Sequence, residues 1–473
     1  MKIHFIVDMD EANSRFSPNF GIGYLSSYLK SRFRNIETSV SLLSDDILAD
    51  ISRTRPDIVG ISSTSRYVSR LKTLSAQIKD RFDLPIVWGG VHISIAPHEL
   101  PSTCDVGVTG EGEITFSELL ANYSDGRFRN LEKIKGIVYR EDGEIVINDP
   151  RPFIEPIDSL PPPDLDLLRV PWSKTHRAVM ITSRGCPFKC RFCASSKFWD
   201  RTRLHTAARI IEEMKSIAER YRVREILIYD DFFTINRKRI AEIAERKSRD
   251  PKLRNIKIEC LSRIDIFDDY LADRLKEIGV YRIAFGIESG CQRTLDYLKN
   301  GTFKLEQVEK AVGLARAKGF ECVGSFIIGS PYETAEEIEE TLSFIKKLKL
   351  ASVQITIATP FPGTELWEDG KKIGKITGDE WSDDYYVMFA NSPDTDLAES
   401  LRGKVLLTQI EPERFRELVQ RASNLANATN LSIGNMARIL VDNIKKDPLG
   451  IPGKVSRGVR YLFQYALPTG RNR

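Results

Sequence analysis

The chain is predicted to be α/β: a Rossmann-like parallel sheet at the N-terminus, then a partial (β/α)6 barrel, then a helical C-terminal region. Three observations predict this. Residues 1–125 alternate short β-branched runs with amphipathic stretches. Residues 178–364 repeat a strand-then-helix unit six times, and strands disappear from about Leu397. Strands alternating with helical stretches make a parallel sheet covered on both faces. Six units fall short of the closed eight-unit barrel. At 473 residues the chain has length for roughly two to four domains. The expected boundaries are a sheet domain at 1–150, a proline-rich linker at 151–176, the barrel at 177–395 and a helical region at 396–473.

Ile3–Val7 is the first strand, ending in Asp8, and Gly21–Ser31 is a helix. Strands follow at Ser39–Leu43, Asp57–Ser62, Pro85–Gly90 and Asp105–Val108. Helices at Asp45–Arg53, about Tyr67–Lys79 and Ile114–Tyr123 alternate with them. Such sheets bind ligands outside the carboxyl ends of their strands. Those ends carry Ser62-Ser63-Thr64, Gly89-Gly90 and Gly110-Glu111-Gly112-Glu113. Small and hydroxylic residues let a large ligand approach the backbone, although tight strand-to-helix turns use the same residues.

Residues 136–147 form a hairpin on an Asp142-Gly143 turn. Pro152 through Pro171, with Pro161-Pro162-Pro163, reads as an extended linker running across the surface, because proline fixes φ and lacks an amide donor. The six barrel strands are Ala178–Thr182, Glu225–Tyr229, Ile256–Leu261, Tyr281–Phe285, Cys322–Ile328 and Ser352–Ala358. Each leads into polar or glycine residues at its carboxyl end, where barrel active sites are built. Beyond them, Glu411–Ala426 and Ser432–Lys446 are amphipathic. The tail sets Lys454, Arg457, Arg460, Arg471 and Arg473 around Tyr461, Phe463 and Tyr465. A basic-aromatic end can make peripheral contact with anionic lipid or a partner, although such a helix more often packs on its own barrel with its charges outward.

Three cysteines stand in the loop after the first barrel strand: Cys186, Cys190 and Cys193, with an aromatic, Phe192, before the last. Soft thiolates select zinc, copper(I) or an iron–sulfur cluster. A structural zinc site wants four ligands, and neither His176 nor His205 has a finger-like spacing to supply the fourth. Three thiolates plus one open position suit a cluster that binds substrate or cofactor at its fourth iron.

This spacing resembles the signature of the radical S-adenosylmethionine (radical SAM) enzymes, whose fold is a partial six-unit barrel. The resemblance implies a [4Fe-4S] cluster on Cys186, Cys190 and Cys193. Its open iron would chelate S-adenosylmethionine, which is cleaved to a 5′-deoxyadenosyl radical. Asp230, Asp231 and Thr234 resemble the stretch near the S-adenosylmethionine amino group. Arg263 and Glu288 resemble residues that hold its carboxylate, amino group or ribose, and the strand at 324–329 resembles the one flanking adenine. Helix capping is the alternative role for these carboxylates. The segments at 18–25, 57–62, 87–92 and 110–113 resemble the cobalamin-binding domain that precedes the barrel in one radical SAM subfamily. Ser62, Thr64, Gly89, Gly90, Gly110 and Glu111 would then line the nucleotide tail of cobalamin. No Asp-x-His-x-x-Gly occurs, so no histidine is expected on cobalt, and Trp88 is bulkier than the aliphatic residue expected there.

What the resemblance implies is methylation of an unactivated centre of a small-molecule or lipid-like substrate, with methylcobalamin as methyl donor and flavodoxin or ferredoxin as electron donor. The alternative is cyclisation, rearrangement or another group transfer without methylation, with a vestigial cobalamin domain. Beyond the cofactor ligands no catalytic residue is assigned. The 70 basic and 66 acidic residues nearly balance, and no nucleic-acid partner is expected. Cys104, Cys260, Cys291 and Cys322 are scattered, as suits reduced, partly buried thiols in a cytoplasmic protein. No signal peptide or apolar run of spanning length is read.

Overall fold

The computed structural model of the chain describes residues 1–9, 18–170, 172–387 and 401–430. The N-terminal sheet has seven strands, in the order Glu37–Leu42, Lys2–Val7, Ile58–Ser62, Ile86–Gly89, Val106–Val108, Ile137–Glu141 and Glu144–Ile147. The first five are parallel. The hairpin adds two antiparallel strands at the edge. Its turn has positive φ at both Asp142 and Gly143, which suits a hairpin wound with the sheet's own twist. The strand order reverses between Lys2–Val7 and Ile58–Ser62, so a crevice opens at their carboxyl ends. Two apolar layers cover the sheet, one around Phe5, Leu29 and Phe116 and the other around Ile61, Leu71 and Trp88.

The second sheet is six parallel strands in chain order: Arg177–Met180, Glu225–Ile228, Lys257–Ser262, Val280–Glu288, Glu321–Ile328 and Ser352–Ile357. Its core runs from Ala178 through Ile258, Ile283 and Phe326 to Ile355, all buried. The helix Pro412–Asn430 joins this core through Phe415, Leu418, Val419, Ala422 and Ala426, an amphipathic stripe with a helical period. Its last residue docks on the final strand, where Asn430 donates to the Val353 carbonyl (3.0 Å) and accepts from the Val353 amide (2.8 Å). Ser432–Lys446 and the basic-aromatic tail lie outside the described residues. Among the described residues, no helix is long and apolar enough to cross a membrane.

One expectation is corrected here. The proline-rich segment does not run across the surface. Ile154, Ile157, Leu160, Leu168 and Trp172 are buried. Ile154, Leu160 and Leu168 pack with Phe20 and Tyr24 of the first sheet's helix and with Val179 and Leu227 of the barrel. Prolines leave fewer amide donors to satisfy on burial, so the apolar residues between them can fill the seam between the two sheets.

Candidate functional site

The cysteine loop hangs from a two-residue ribbon. Ser183–Arg184 pairs antiparallel with Arg203–Leu204, closing the base of the loop. Gly185 then turns with φ +89, and a Cβ there would lie 2.6 Å from the Arg201 carbonyl, so the residue before Cys186 has to be glycine. Cys186, Cys190 and Cys193 are part-exposed, whereas Cys104, Cys260, Cys291 and Cys322 are buried. Burial raises the Cys186 thiol pKa and pushes that of Cys193 up to about 11, so a bound metal centre would have to displace their protons. Among the described residues, no three His, Cys, Asp or Glu side chains converge as on one metal ion.

Two aromatic residues of the loop touch the barrel's charged groups. The Arg263 guanidinium lies 3.4 Å over the Phe188 ring, and Lys299 Nζ lies 5.5 Å from the Phe192 ring. Arg263 is held in turn by both oxygens of Asp265 (3.0 and 2.9 Å) and by Thr302 (3.2 Å). Glu288, in the left-handed region at φ 69, pairs with Lys299 at 2.7 Å, and both side chains are buried. Burial works against the Lys299 cation, but Glu288 beside it outweighs this and raises its pKa.

Asp230 and Thr234 are not open to a ligand. Asp230 accepts from the Thr182 amide and hydroxyl, each at 2.5 Å, and from the Ser183 amide at 3.1 Å. Thr234 is buried against the Ser262 hydroxyl at 2.9 Å. Both serve to lock neighbouring strand ends, which one-dimensional motif matching cannot distinguish from ligand contact. Asp231 instead lines the cavity described next and accepts from Ser195 at 2.7 Å. Burial raises the pKa of both carboxyls. Asp230 also stands 3.9 Å from the buried Arg239 guanidinium, so Asp230→Ala is expected to free the Thr182–Ser183 turn and to leave Arg239 without its counter-charge, at a cost of about 3 kcal/mol. A thermal melt should show a Tm lower by roughly 5–10 °C, with less iron retained per chain.

A cavity of about 390 Å³ lies at the carboxyl edge of the N-terminal sheet. One wall is Ser62–Thr64, Gly89, Gly90 and Gly110. The opposite wall is Ser183, Arg184 and Gly185 of the cysteine loop's base, with Tyr229 and Asp231 from the barrel. Gly89 leaves real space, since a Cβ there would meet nothing nearer than 3.9 Å. Gly90 does not. Its φ is +101 and a Cβ would lie 2.5 Å from the Ser63 carbonyl, so the strand-to-helix turn itself requires glycine. Thr64 donates through amide and hydroxyl to Asp8, at 2.5 and 2.6 Å, and Ser62 receives the Asn19 amide at 3.1 Å. The lining contains no histidine. His92 is turned inward to Ser65 (3.1 Å) and Glu99 (3.4 Å).

Glu111 also borders the cavity, but its carboxylate is committed elsewhere. It binds Arg184 (2.5 Å), Arg203 (2.7 Å) and the Ile154 amide (2.6 Å). Burial opposes its charge, yet the Arg203 hydrogen bond and the Arg184 cation hold its pKa below the usual carboxylate range. It therefore faces two arginines rather than a cofactor tail. The sequence assigns no role to Arg184, Arg203 or Lys299, and it places Glu113 in the turn expected to line the cobalamin tail rather than on an arginine. Arg184 stands two residues before Cys186, a signal that was available; Lys299 offered none.

A second, apolar cavity of about 190 Å³ sits at the barrel mouth beside Phe192, bordered by Ile327, Ala358, Phe361 and Tyr386.

The chain is similar to known proteins in sequence and in fold. The family described as the Radical SAM superfamily matches residues 180–345, and that described as the B12 binding domain matches residues 15–120. An uncharacterized methyltransferase of Pyrococcus horikoshii is 38% identical over 363 residues, covering 74% of this chain and 78% of the relative. The chain belongs to the radical SAM superfamily, in the group with a B12-binding domain. The anaerobic magnesium-protoporphyrin IX monomethyl ester cyclase of Rubrivivax gelatinosus is 28% identical over 380 residues, 75% of this chain and 67% of the relative. The radical SAM methyltransferase TsrM of Kitasatospora setae shares the fold at TM-score 0.67 and 19% identity, covering 80% of this chain and 77% of that one. The cofactors of this radical SAM enzyme are thus a [4Fe-4S] cluster, S-adenosylmethionine and cobalamin. The residues present fit them: three part-exposed cysteines on one loop, and a cavity lined by small residues at the ends of the N-terminal strands, Ser62, Gly89 and Gly110 among them.

Proposed function

We propose that the chain methylates an unactivated centre of a small-molecule or lipid-like substrate. The observation that carries this reading is the single cavity walled on one side by the small residues of the B12-binding sheet and on the other by the base of the cysteine loop. A group transferred between two cofactors needs both to face one space, since effective molarity depends on placement. The bound cofactors supply one-electron cleavage of S-adenosylmethionine and a transferable methyl group.

The chain's own residues bind, orient and shield. Cys186, Cys190 and Cys193 hold the cluster. The apolar cavity beside Phe192 and Ile327 takes the adenine, and Arg263, Glu288 and Lys299 set charges of both signs beside the loop for a zwitterionic methionyl group. Asp231, Tyr229 and Gly89 border the space between the cofactors. Gly90, Asp230 and Thr234 support that geometry without touching a ligand. An electron arrives from a reductant such as flavodoxin or ferredoxin in the cytoplasm.

Glu288→Gln is expected to weaken S-adenosylmethionine binding by about 1.5 kcal/mol, roughly tenfold, while iron content stays at the wild-type level. Equilibrium dialysis with labelled S-adenosylmethionine checks it, and unchanged affinity would reduce Glu288 to a partner of Lys299. The function itself is tested by mass spectrometry of products. Anaerobically reconstituted protein is incubated with cell extract and deuteromethyl S-adenosylmethionine. A product carrying the deuterated methyl group supports methylation. A product altered without the label points to cyclisation or another transfer, the chemistry class of the cyclase relative.

A further inference from the structure

The turn at Gly110–Glu113 belongs to the N-terminal sheet, yet its two carboxylates reach across to the cysteine loop. Glu111 binds Arg184 and Arg203, and Glu113 accepts from the other Arg184 nitrogen at 2.8 Å. Arg203 also donates to the Ile154 carbonyl at 2.7 Å, tying the linker into the same cluster. The Arg184 guanidinium lies 4.8 Å over the Tyr24 ring. All four charged side chains are at most 10% exposed. Arg184 and Arg203 face each other across the ribbon that closes the base of the cysteine loop. The same turn borders the cavity on the opposite side.

We propose that Glu111, Glu113, Arg184 and Arg203 are positioning residues that clamp the cysteine loop to the B12-binding sheet and set the spacing between the two cofactor sites. Four buried charges are costly unless each meets an opposite charge, and these ion pairs form only when the two sheets hold this relative placement. The planar fork of Arg184 reaches both carboxylates at once, which adds direction to attraction. Placement matters for transfer between cofactors, because a displacement of about 1 Å can cost a hundredfold in rate. A second fastening stands apart from the clamp. Glu99 accepts from the Trp381 amide at 2.8 Å, and Arg66 lies 5.0 Å over the Tyr386 ring, so loss of the clamp should shift the loop without parting the sheets.

The inference rests on the cofactor reading above, and its test separates the two. Arg184→Lys keeps the charge but replaces the planar fork, whose two nitrogens reach Glu111 and Glu113 separately, with one ammonium nitrogen that cannot occupy both positions. Glu113→Gln keeps the shape and one acceptor. Hydrogen exchange on the full chain without cofactors should show amides of residues 183–204 exchanging about tenfold faster in Arg184→Lys, and less so in Glu113→Gln. Amides of the strand at 225–228 should be unchanged. In protein loaded with cob(II)alamin and the reduced cluster, the dipolar coupling between the two spins should weaken or broaden in Arg184→Lys, at wild-type iron content. Wild-type exchange in the loop of both variants, with unaltered spin coupling, would overturn the clamp. If wild type retains no cobalamin, the cofactor reading fails and the exchange result alone decides for or against the clamp.

Discussion

Cys186→Ala, Cys190→Ala and Cys193→Ala are each expected to abolish the iron–sulfur cluster and all formation of 5′-deoxyadenosine. Three thiolates are the minimum for a cubane with one open iron, so no pair of the remaining cysteines can replace the third. The other four cysteines are buried in the packed core and cannot substitute. The thiols of the loop are part-exposed, so truncation removes little packing and the apo variants should melt near the apo wild type. Cys322→Ala serves as the opposite control. It opens a small hole beside Phe320 and Val312, costing about 1 kcal/mol, and leaves the cluster in place. Iron and sulfide analysis of anaerobically reconstituted protein, with the visible spectrum, reads the result. Wild-type protein without a brown chromophore near four irons per chain would remove the basis of the radical reading.

Gly89→Leu is expected to eliminate stable cobalamin binding. A Cβ there would make only ordinary contact with Ile61 and Val108, at 3.9 Å or more, and Gly89 lines the cavity, so the added side chain is expected to take up ligand volume without a clash at its first carbon. A loss of about 3 kcal/mol, more than a hundredfold, follows if the side chain excludes part of the corrinoid. Gly90→Leu would be a poorer probe, because its Cβ would strike the Ser63 backbone at 2.5 Å and break the turn before any ligand is considered. Absorbance after anaerobic incubation with hydroxocobalamin and desalting distinguishes the outcomes. Retention by wild type and loss by Gly89→Leu support the assigned cavity. Equal retention would place the ligand elsewhere.

Much of the molecule was legible from its residues alone. β-Branched runs marked the parallel strands of both sheets, and Asp142-Gly143 marked the hairpin, because strand and turn preferences are local. The cysteine spacing stood out for the same reason: three ligands for one cluster lie within eight residues. Tertiary structure alone decided how the remaining candidates are used. Asp230 meets Thr182 across 48 positions and is closed to ligands, and Glu111 meets Arg184 across 73 positions and joins two sheets. Gly89 and Gly90 are identical neighbours in sequence, yet one opens a cavity and the other fits a turn. The apolar residues of the proline-rich segment look like surface linker until the two sheets close on them. In each case the role depends on which distant group burial brings within hydrogen-bond or van der Waals reach. Residue type fixes what a side chain can bind, but only the folded chain determines whether a partner has already satisfied it.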